Sequence, residues 1–98
     1  MGRYAEPAVL VLVSLAGGSK HGYAIAADVE AVSGVRMGPG TLYGAITRLE
    51  ERGLIDALPF EDRRRPYRIT PRGTEALREQ VGMLERVTEA GKRRLARA

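Results

Sequence analysis

A run of arginine residues is the part of this sequence whose chemistry is easiest to interpret. Five arginines and no acidic residue fall between Arg63 and Arg72. Guanidinium groups bind phosphates through paired, charge-assisted hydrogen bonds. A solvated turn is the alternative interpretation, but five arginines without an acid favour a polyanionic partner.

Catalytic and metal chemistry have little support in the residues present. The chain has no cysteine and a single histidine, His21, so a disulfide framework is excluded and His21 alone cannot build a metal cluster. No hydroxyl nucleophile has a visible base and orienting acid around it. We therefore expect no enzyme and no cofactor, and we expect His21 to be structural or to face phosphate.

Length and charge describe a small, moderately basic protein. The 98 residues suffice for a single core, and the net charge of +4 makes the position of the cations more informative than their number. The longest apolar run, Ala8 to Val13, is far shorter than the roughly 20 residues that span a bilayer. Residues 1–7 are not followed by a signal-peptide cleavage pattern, so we expect a cytoplasmic protein.

Helix-boundary residues predict two helices in the first third of the chain. Pro7 favours a first helix over residues 6–16, although its β-branched residues are also consistent with a buried strand. Ser19 is the expected N-cap of a second helix over residues 20–32. One stripe of this helix is expected to be buried, and it comprises Gly22, Ile25, Ala26, Val29 and Val32. Tyr23 could touch DNA or pack over the core, and packing is the expected alternative.

A third helix and a hairpin are predicted in the middle of the chain. Pro39 and Gly53 bracket the helix, whose expected buried residues Leu42, Ala45, Ile46 and Leu49 follow helical spacing. Residues 54–58 and 66–69 are two short strand candidates joined by a turn that contains the arginines. In the second strand, alternation predicts that Tyr67 points inward and Arg68 outward.

The last element is predicted to be a long helix with a coiled-coil seam. Thr70 and Pro71 supply an N-cap and a first-turn proline, and the helix is expected to run to about residue 96. Its seam alternates spacings of four and three and consists of Leu77, Val81, Leu84, Thr88, Gly91 and Leu95. The seam could pack within the monomer, but a helix of roughly 25 residues is too long for so small a body to cover, which favours a dimer.

The face of the third helix opposite its apolar stripe is suited to enter a DNA groove. This face carries Gly40, Gly44, Thr47 and Glu51, and it is flanked by Tyr43 on one side and by Thr41 and Arg48 on the other. Phosphates would repel Glu50 and Glu51 in the last turn, whereas the first turn carries the positive end of the helix dipole. We therefore expect the N-terminal turn to enter deepest.

Side chains that read bases are scarce on this helix. The chain has no asparagine, and its only glutamine is Gln80, so the usual bidentate readers of adenine are missing from the free face. This scarcity predicts that DNA shape supplies much of the specificity. Gly44 allows a close backbone approach or is a tolerated weak position, and Arg48 either reaches a phosphate or pairs with a neighbouring acid.

Four motifs occur in a characteristic order. They are K-H-G-Y at 20–23, P-G-T-L-Y at 39–43, R-L-E-E-R-G-L-I at 48–55 and R-R-R-P-Y-R-I-T-P-R-G at 63–73. In this combination, residues 8–77 strongly resemble the PadR family of bacterial transcriptional regulators. The resemblance implies a winged helix-turn-helix domain, a homodimer built through the C-terminal helix, and repression relieved by a small-molecule effector at or near the dimer interface.

The resemblance also implies roles for individual residues. Tyr43 is the family's DNA-contacting tyrosine, Lys20 touches the DNA backbone, and Arg63 to Arg65 form the basic wing. Two positions depart from the family pattern: Gly38 stands where an N-cap serine is common, and Pro66 interrupts the aromatic and basic run of the second wing strand. The first weakens the cap by a few tenths of a kcal/mol, and the second suits an edge strand or a strand start.

Together, these observations predict a mainly α protein with a small β-hairpin. A winged helix-turn-helix domain is expected over residues 1–70 and a dimerisation helix over residues 71–98. The expected DNA-binding residues are Lys20, Pro39, Gly40, Thr41, Tyr43, Gly44, Thr47, Arg48, Arg63, Arg64, Arg65 and Arg68; the expected dimerisation residues are Leu77, Val81, Leu84, Thr88 and Leu95. The partners are then double-stranded operator DNA, a second copy of the chain and an effector. The alternative is a winged-helix module that binds protein instead of DNA.

Overall fold

The structure, a computed structural model, describes residues 6–98 and consists of four helices and three short strands. In chain order the elements are α1 (Pro7–Ala16), β1 (Lys20–His21), α2 (Gly22–Ser33), α3 (Pro39–Glu51), β2 (Ile55–Ala57), β3 (Pro66–Ile69) and α4 (Pro71–Arg97). Residues 1–5, which belong to the N-terminal segment 1–7 and to the predicted 1–70 domain, lie outside the described residues. The predicted helix-rich class and the hairpin are confirmed.

The core is aliphatic and lies between the first three helices and β2. α1 packs against both α2 and α3. The buried hydrophobic residues of the core are Val11, Leu12, Leu15, Ile25, Val29, Met37, Leu42, Ala45, Ile46, Leu49 and Ile55. The four predicted core residues of α3 are all among them, so this helix has the buried face and the free face that its spacing predicted.

Proline and glycine residues set the ends of α3. Pro39 occupies the first turn, where its missing N–H is not needed. Gly53 follows the last turn with a φ of 73°, and the amide of Leu54 donates to the carbonyl of Leu49 at 2.9 Å. This is the Schellman arrangement, and the left-handed residue that it requires is the reason glycine follows the helix here.

The sheet has one strand more than the predicted hairpin. β3 lies in the centre, antiparallel to both neighbours, in the order β1-β3-β2. Lys20 and His21, predicted to begin helix 2, instead pair with Tyr67 and Pro66. Pro66 is the first residue of its strand, which is a position where a missing amide donor is tolerated.

Three predictions about α2 are wrong. The helix begins at Gly22, and its N-cap is His21, whose Nδ1 faces the amide of Ala24 at 3.4 Å, instead of Ser19. Val32 is 65% exposed instead of buried, because the left-handed Gly34 ends the helix close by. Tyr23 is 77% exposed, since the buried face of α2 is filled by Ile25 and Val29.

The first turn of α4 is built into the body of the protein. Thr70 caps the helix, because its Oγ1 accepts from the amide of Gly73 at 3.0 Å and donates to the carbonyl of Gly53 at 2.8 Å. A Cβ on Gly73 would collide with the backbone carbonyl of Leu54. Leu77 packs against the core of its own chain. The first residue of the predicted seam therefore makes an intramolecular contact.

Candidate nucleic-acid interface

The free face of α3 is open along its length. Thr41, Tyr43, Thr47 and Arg48 are exposed, as are Pro39 and Gly40 in the first turn. Gly38, the N-cap, offers no side-chain acceptor to the first amides of the helix. These amides and the positive end of the helix dipole therefore make the first turn a suitable seat for phosphate or another anion.

Gly44 and Arg48 lie side by side on this face. Arg48 Nη1 is 3.5 Å from the point that a Cβ on Gly44 would occupy, and apart from the adjacent residues and the backbone of the same helix, nothing else in the described residues comes within 4 Å of that point. Internal packing therefore does not require a glycine here. Arg48 forms no ion pair within the described residues, so its guanidinium is not neutralised by the acids of α3.

Tyr43 is held against the start of α2. Its ring and hydroxyl lie so close to Gly22 that a Cβ on Gly22 would collide with them. The side chain remains 49% exposed. The glycine of the K-H-G-Y motif thus fixes where the tyrosine of the P-G-T-L-Y motif sits, which is a link between the two motifs that neither one reveals alone.

The wing, which consists of β2, β3 and the loop between them, has a tight two-residue turn at its tip. Asp62 and Arg63 both have positive φ, at 46° and 69°. Glu61 and Arg64 exchange two backbone hydrogen bonds of 2.8 Å across them. A two-residue hairpin turn with both central residues left-handed matches the twist of the strands, and asparagine-glycine is the usual choice. Arg63 is therefore in a conformation that its side chain does not favour.

The three wing arginines have different surroundings. Arg63 is exposed at the tip, and within residues 6–98 its guanidinium donates no hydrogen bond to another residue. Arg64 Nη1 lies 3.1 Å from Nε2 of His21. Arg65 is half-buried: it donates to the carbonyl of Leu58 at 2.9 Å and stacks on Phe60, 4.0 Å from the ring centroid. Arg65 therefore also stiffens the wing.

Two further predicted cations are engaged inside the chain. Lys20 Nζ donates to the carbonyl of Ser14 at 2.5 Å and to that of Gly18 at 3.0 Å, which satisfies the C-terminal end of α1. Arg68 points outward, as the alternation predicted, and pairs with Asp56 at 3.5 Å. Both members of this pair are more than half exposed, so the pair contributes little stability.

A cleft of about 300 Å³ joins α3, the start of α2 and the wing. Tyr43 and Arg63 to Arg65 line it together with His21 and Tyr67. Burial, and then the nearby Glu50 carboxylate, raise the pKa of Tyr67 above its usual 10.0, while Arg65 opposes this shift. The Tyr67 hydroxyl is therefore protonated near neutral pH and can donate a hydrogen bond. No sequence pattern marks this cleft directly, since its members come from four elements and the loop between β2 and β3.

The described part of the chain contains neither a metal-binding cluster nor a membrane-spanning helix. Within residues 6–98, no group of three or more His, Asp or Glu side chains is close enough together to hold a metal ion. No helix in the same range combines the length and the apolar character needed to cross a bilayer.

The chain matches the model of the "Transcriptional regulator PadR-like family" over residues 11–79. It is 45% identical, over 86 residues, to an "Uncharacterized 37.1 kDa protein in transposon TN4556" from Streptomyces fradiae. This match covers 88% of the chain but only 25% of that relative, so the chain spans about a quarter of the relative's length.

Solved structures share the fold over nearly the whole chain. A transcriptional regulator from Clostridium thermocellum is 28% identical with a TM-score of 0.79, and the match covers 89% of this chain and 87% of the regulator. A PadR family transcription regulator from Clostridium difficile has a TM-score of 0.84 at 23% identity, covering 93% of this chain and 99% of the other. The family match, the winged-helix fold and the arginine-tipped wing agree, and this chain belongs to the PadR-like family of DNA-binding transcriptional regulators, which are not enzymes.

Proposed function

We propose that the chain is a homodimeric, cytoplasmic repressor that binds operator DNA through the free face of α3 and the wing, and that a small-molecule effector releases it. The observation that carries the proposal is that Tyr43 of α3 and Arg63 to Arg65 of the wing border one cleft. Helix and hairpin therefore present their polar side chains on the same side of the molecule, as groove and backbone binding together require.

In the proposed pose, α3 enters the major groove by its first turn. Its uncapped amides and dipole favour phosphate there, while the exposed Glu50 and Glu51 in the last turn stay away from the backbone. The α3 contacts would be Pro39, Gly40, Thr41, Tyr43, Gly44, Thr47 and Arg48. Since these residues include no amide side chain, DNA shape would supply much of the specificity.

The remaining contacts would be made to phosphates. Arg63 and Arg64 are exposed near the wing tip, and Arg65 would add charge from a fixed position. Arg68 can leave its exposed, weak pair with Asp56. Lys20 uses two of its three ammonium donors on the carbonyls of Ser14, in α1, and Gly18, just after it, which leaves one for the DNA backbone.

In the proposed function, residues 1–70 bind DNA and residues 71–98, which contain α4, form the dimer. The helix contacts α1 and β3 of its own chain, and its 27 residues extend about 40 Å. The exposed apolar side chains along it are Val81, Met83, Leu84, Val87 and Leu95. Val81, Leu84 and Thr88 also line a shallow groove of about 250 Å³ that a partner's side chains could fill. Thr88 and Leu95 complete the proposed seam.

DNA binding and repression can be tested in sequence. A duplex would first be selected from a randomised library by repeated rounds of binding, and then titrated with the wild-type chain and with Tyr43→Ala. We expect affinity that falls steeply with salt and a loss on substitution of roughly 1–3 kcal/mol. Val32→Ala, at an exposed position in the last turn of α2 that is not among the proposed contacts, serves as the control. A reporter carrying the selected duplex at its promoter should be silenced.

Salt-insensitive binding, or no binding to any selected duplex, would contradict the proposed pose. In that case a partner protein recovered with the chain would instead support the protein-binding alternative. A reporter that is activated would overturn repression while leaving DNA binding intact.

A further inference from the structure

His21 lies where the start of α2 meets the wing, and each of its two ring nitrogens faces a hydrogen-bond donor. Its Nδ1 accepts from the amide of Ala24 at 3.4 Å and so caps α2. Its Nε2 lies 3.1 Å from Nη1 of Arg64, on the wing. A guanidinium has only N–H donors and no acceptor, and the same is true of a backbone amide nitrogen. The imidazole therefore lies between two donors, one from its own helix and one from the wing.

A neutral imidazole can accept only one of these two hydrogen bonds. One of its nitrogens carries the proton, and only the other has a free lone pair. The amide of Ala24 is fixed in the first turn of α2, whereas the side chain of Arg64 is exposed and can turn. The helix cap therefore takes the lone pair, which places the ring proton on Nε2. The Nε2–H of His21 and the guanidinium of Arg64 are then adjacent donors that cannot bond to each other.

The described part of the chain offers no acceptor to this pair of donors. Arg64 forms no ion pair within residues 6–98. Glu61 is joined to Arg64 through backbone hydrogen bonds, and its carboxylate forms no ion pair in the same range. His21 is half-buried and Arg64 is exposed, so an acceptor from outside can reach both. Two adjacent N–H donors, one of them charged, suit the oxygens of a single phosphate.

We propose that His21 and Arg64 hold one phosphate of the DNA backbone between them, which makes His21 a further DNA-contacting residue. The proposal rests on the proposed function, because the phosphate belongs to the operator duplex. Both residues line the cleft that Tyr43 also borders, so the phosphate lies beside the groove that α3 enters. A single phosphate then links the start of α2 to the wing.

The position of the ring proton can be measured directly. His21 is the only histidine in the chain, so isotope labelling of histidine nitrogen gives one set of ring signals in NMR spectra. Protonated and unprotonated ring nitrogens are well separated in such spectra. We expect the free protein to carry the proton on Nε2, and we expect the selected duplex to shift the Nε2 signal much more than the Nδ1 signal.

Two substitutions separate the helix cap from the phosphate contact. His21→Asn keeps a good N-cap acceptor at the place of Nδ1 but has no group at the place of Nε2. It should keep the thermal midpoint of wild type and weaken duplex binding by about tenfold. His21→Gln keeps an N–H donor near the place of Nε2 but loses the cap. It should lower the thermal midpoint and bind the duplex within about threefold of wild type. A residue that acts only as a cap would give the reverse pattern.

A shared phosphate also couples His21 to Arg64. In an Arg64→Gln background, the loss caused by His21→Asn should shrink from about tenfold to below about threefold, because the phosphate is no longer held beside the ring. Arg68→Gln, at a proposed contact in β3, is the matched control. In that background the loss should stay at about tenfold. Equal losses in both backgrounds would overturn the shared phosphate.

The remaining outcomes distinguish this proposal from the proposed function. A proton on Nδ1 in the free protein, an Nε2 signal that the bound duplex leaves unshifted, or wild-type affinity in His21→Asn overturns the proposal and leaves duplex binding as measured. If no duplex binds, the proposed function fails, and inorganic phosphate is titrated instead. A saturable Nε2 shift that Arg64→Gln abolishes would then support the anion site, and its absence would overturn the site as well.

Discussion

At Gly22, the absence of a side chain gives Tyr43 its position. The ring occupies the space that a Cβ would fill, so the orientation of the main aromatic residue on α3 depends on a residue of α2. Gly44 is different, because a Cβ there would make only an ordinary van der Waals contact with Arg48 Nη1, at 3.5 Å. Packing within the chain therefore requires glycine at position 22. It does not require glycine at position 44, which leaves that position available for close contact with a binding partner.

We predict that Gly22→Ala weakens duplex binding by displacing Tyr43. The loss should equal that of Tyr43→Ala to within about 0.5 kcal/mol, and the double variant should be no weaker than either single one, because both changes remove the same contact. Titration of the four proteins against one duplex measures this coupling. Additive losses would show that Gly22 acts independently of Tyr43.

We predict that Gly44→Ala stabilises the protein and yet weakens its binding to DNA. Alanine in a helix interior is favoured over glycine by about 0.8–1 kcal/mol, and the structure has room for it. If the DNA approaches the helix backbone closely, the added methyl group costs affinity. Thermal unfolding and duplex titration provide the two readouts.

Gly82→Ala is the matched control for this substitution. Gly82 also lies within a helix, and a Cβ there would meet only an arginine guanidinium, Arg86 Nη1, at 3.6 Å. The control should gain stability and keep its DNA affinity. If Gly44→Ala also keeps its affinity, Gly44 is a tolerated weak position, which is the other interpretation of its place in the sequence.

Among the elements, the wing combines a strained turn with a firm base. Arg63 has a φ of 69° at the tip, while Arg65 ties the base of the wing to Leu58 and Phe60. A non-glycine residue in the left-handed region costs of order 1 kcal/mol or more. The presence of an arginine at this position despite that cost is consistent with a role for its positive charge in binding phosphate.

We predict that Arg63→Gly has opposite effects on stability and on binding. Asp-Gly suits this turn. Relief of the left-handed strain at Arg63, about 1–2 kcal/mol, should exceed the added entropy cost of glycine, about 0.5–1 kcal/mol, so the free energy of unfolding should rise by about 0.5–1 kcal/mol. The loss of one phosphate contact should lower the log-log slope of affinity against salt by about one. Urea unfolding and salt titration provide the measurements. A lower slope accompanied by lower stability would point instead to a damaged wing.

The sequence predicted elements well where local residues decide their ends. Pro39 and Gly53 bracket α3, and Thr70 caps α4, as expected. The strand β1 was missed because two residues, Lys20 and His21, have no pattern of their own and acquire strand geometry only by pairing with β3. The cleft was missed for the same reason: distant contacts bring its residues together.

At the scale of the whole molecule, α4 makes the shape elongated. The principal extents are 53 × 26 × 19 Å, and the exposed apolar residues of α4 include Leu84 at 46% and Val87 at 59%. Leu77 at the start of the seam is already covered by its own chain. The exposed part of the proposed seam therefore begins near Val81.

We predict that Leu84→Glu abolishes dimerisation without unfolding the chain. A charge in the seam would be desolvated in a dimer but remains hydrated in a monomer, because Leu84 is outside the core. Light scattering at micromolar concentration should report twice the chain mass for wild type and the single mass for the variant, with unchanged helical circular dichroism. Val32→Glu, on exposed α2 surface, should remain dimeric. A monomeric wild type would contradict the dimer.

DNA binding by α3 and the wing can be tested through the salt dependence of duplex binding. The triple variant Arg63→Gln, Arg64→Gln, Arg65→Gln is compared with Arg93→Gln, Arg94→Gln, Arg97→Gln, which removes the same charge from the exposed end of α4. We predict that the log-log slope falls by about one for each lost wing contact, and that the α4 variant keeps the wild-type slope. Equal slopes for the wing variant and wild type, or a larger fall in the α4 variant, would contradict it.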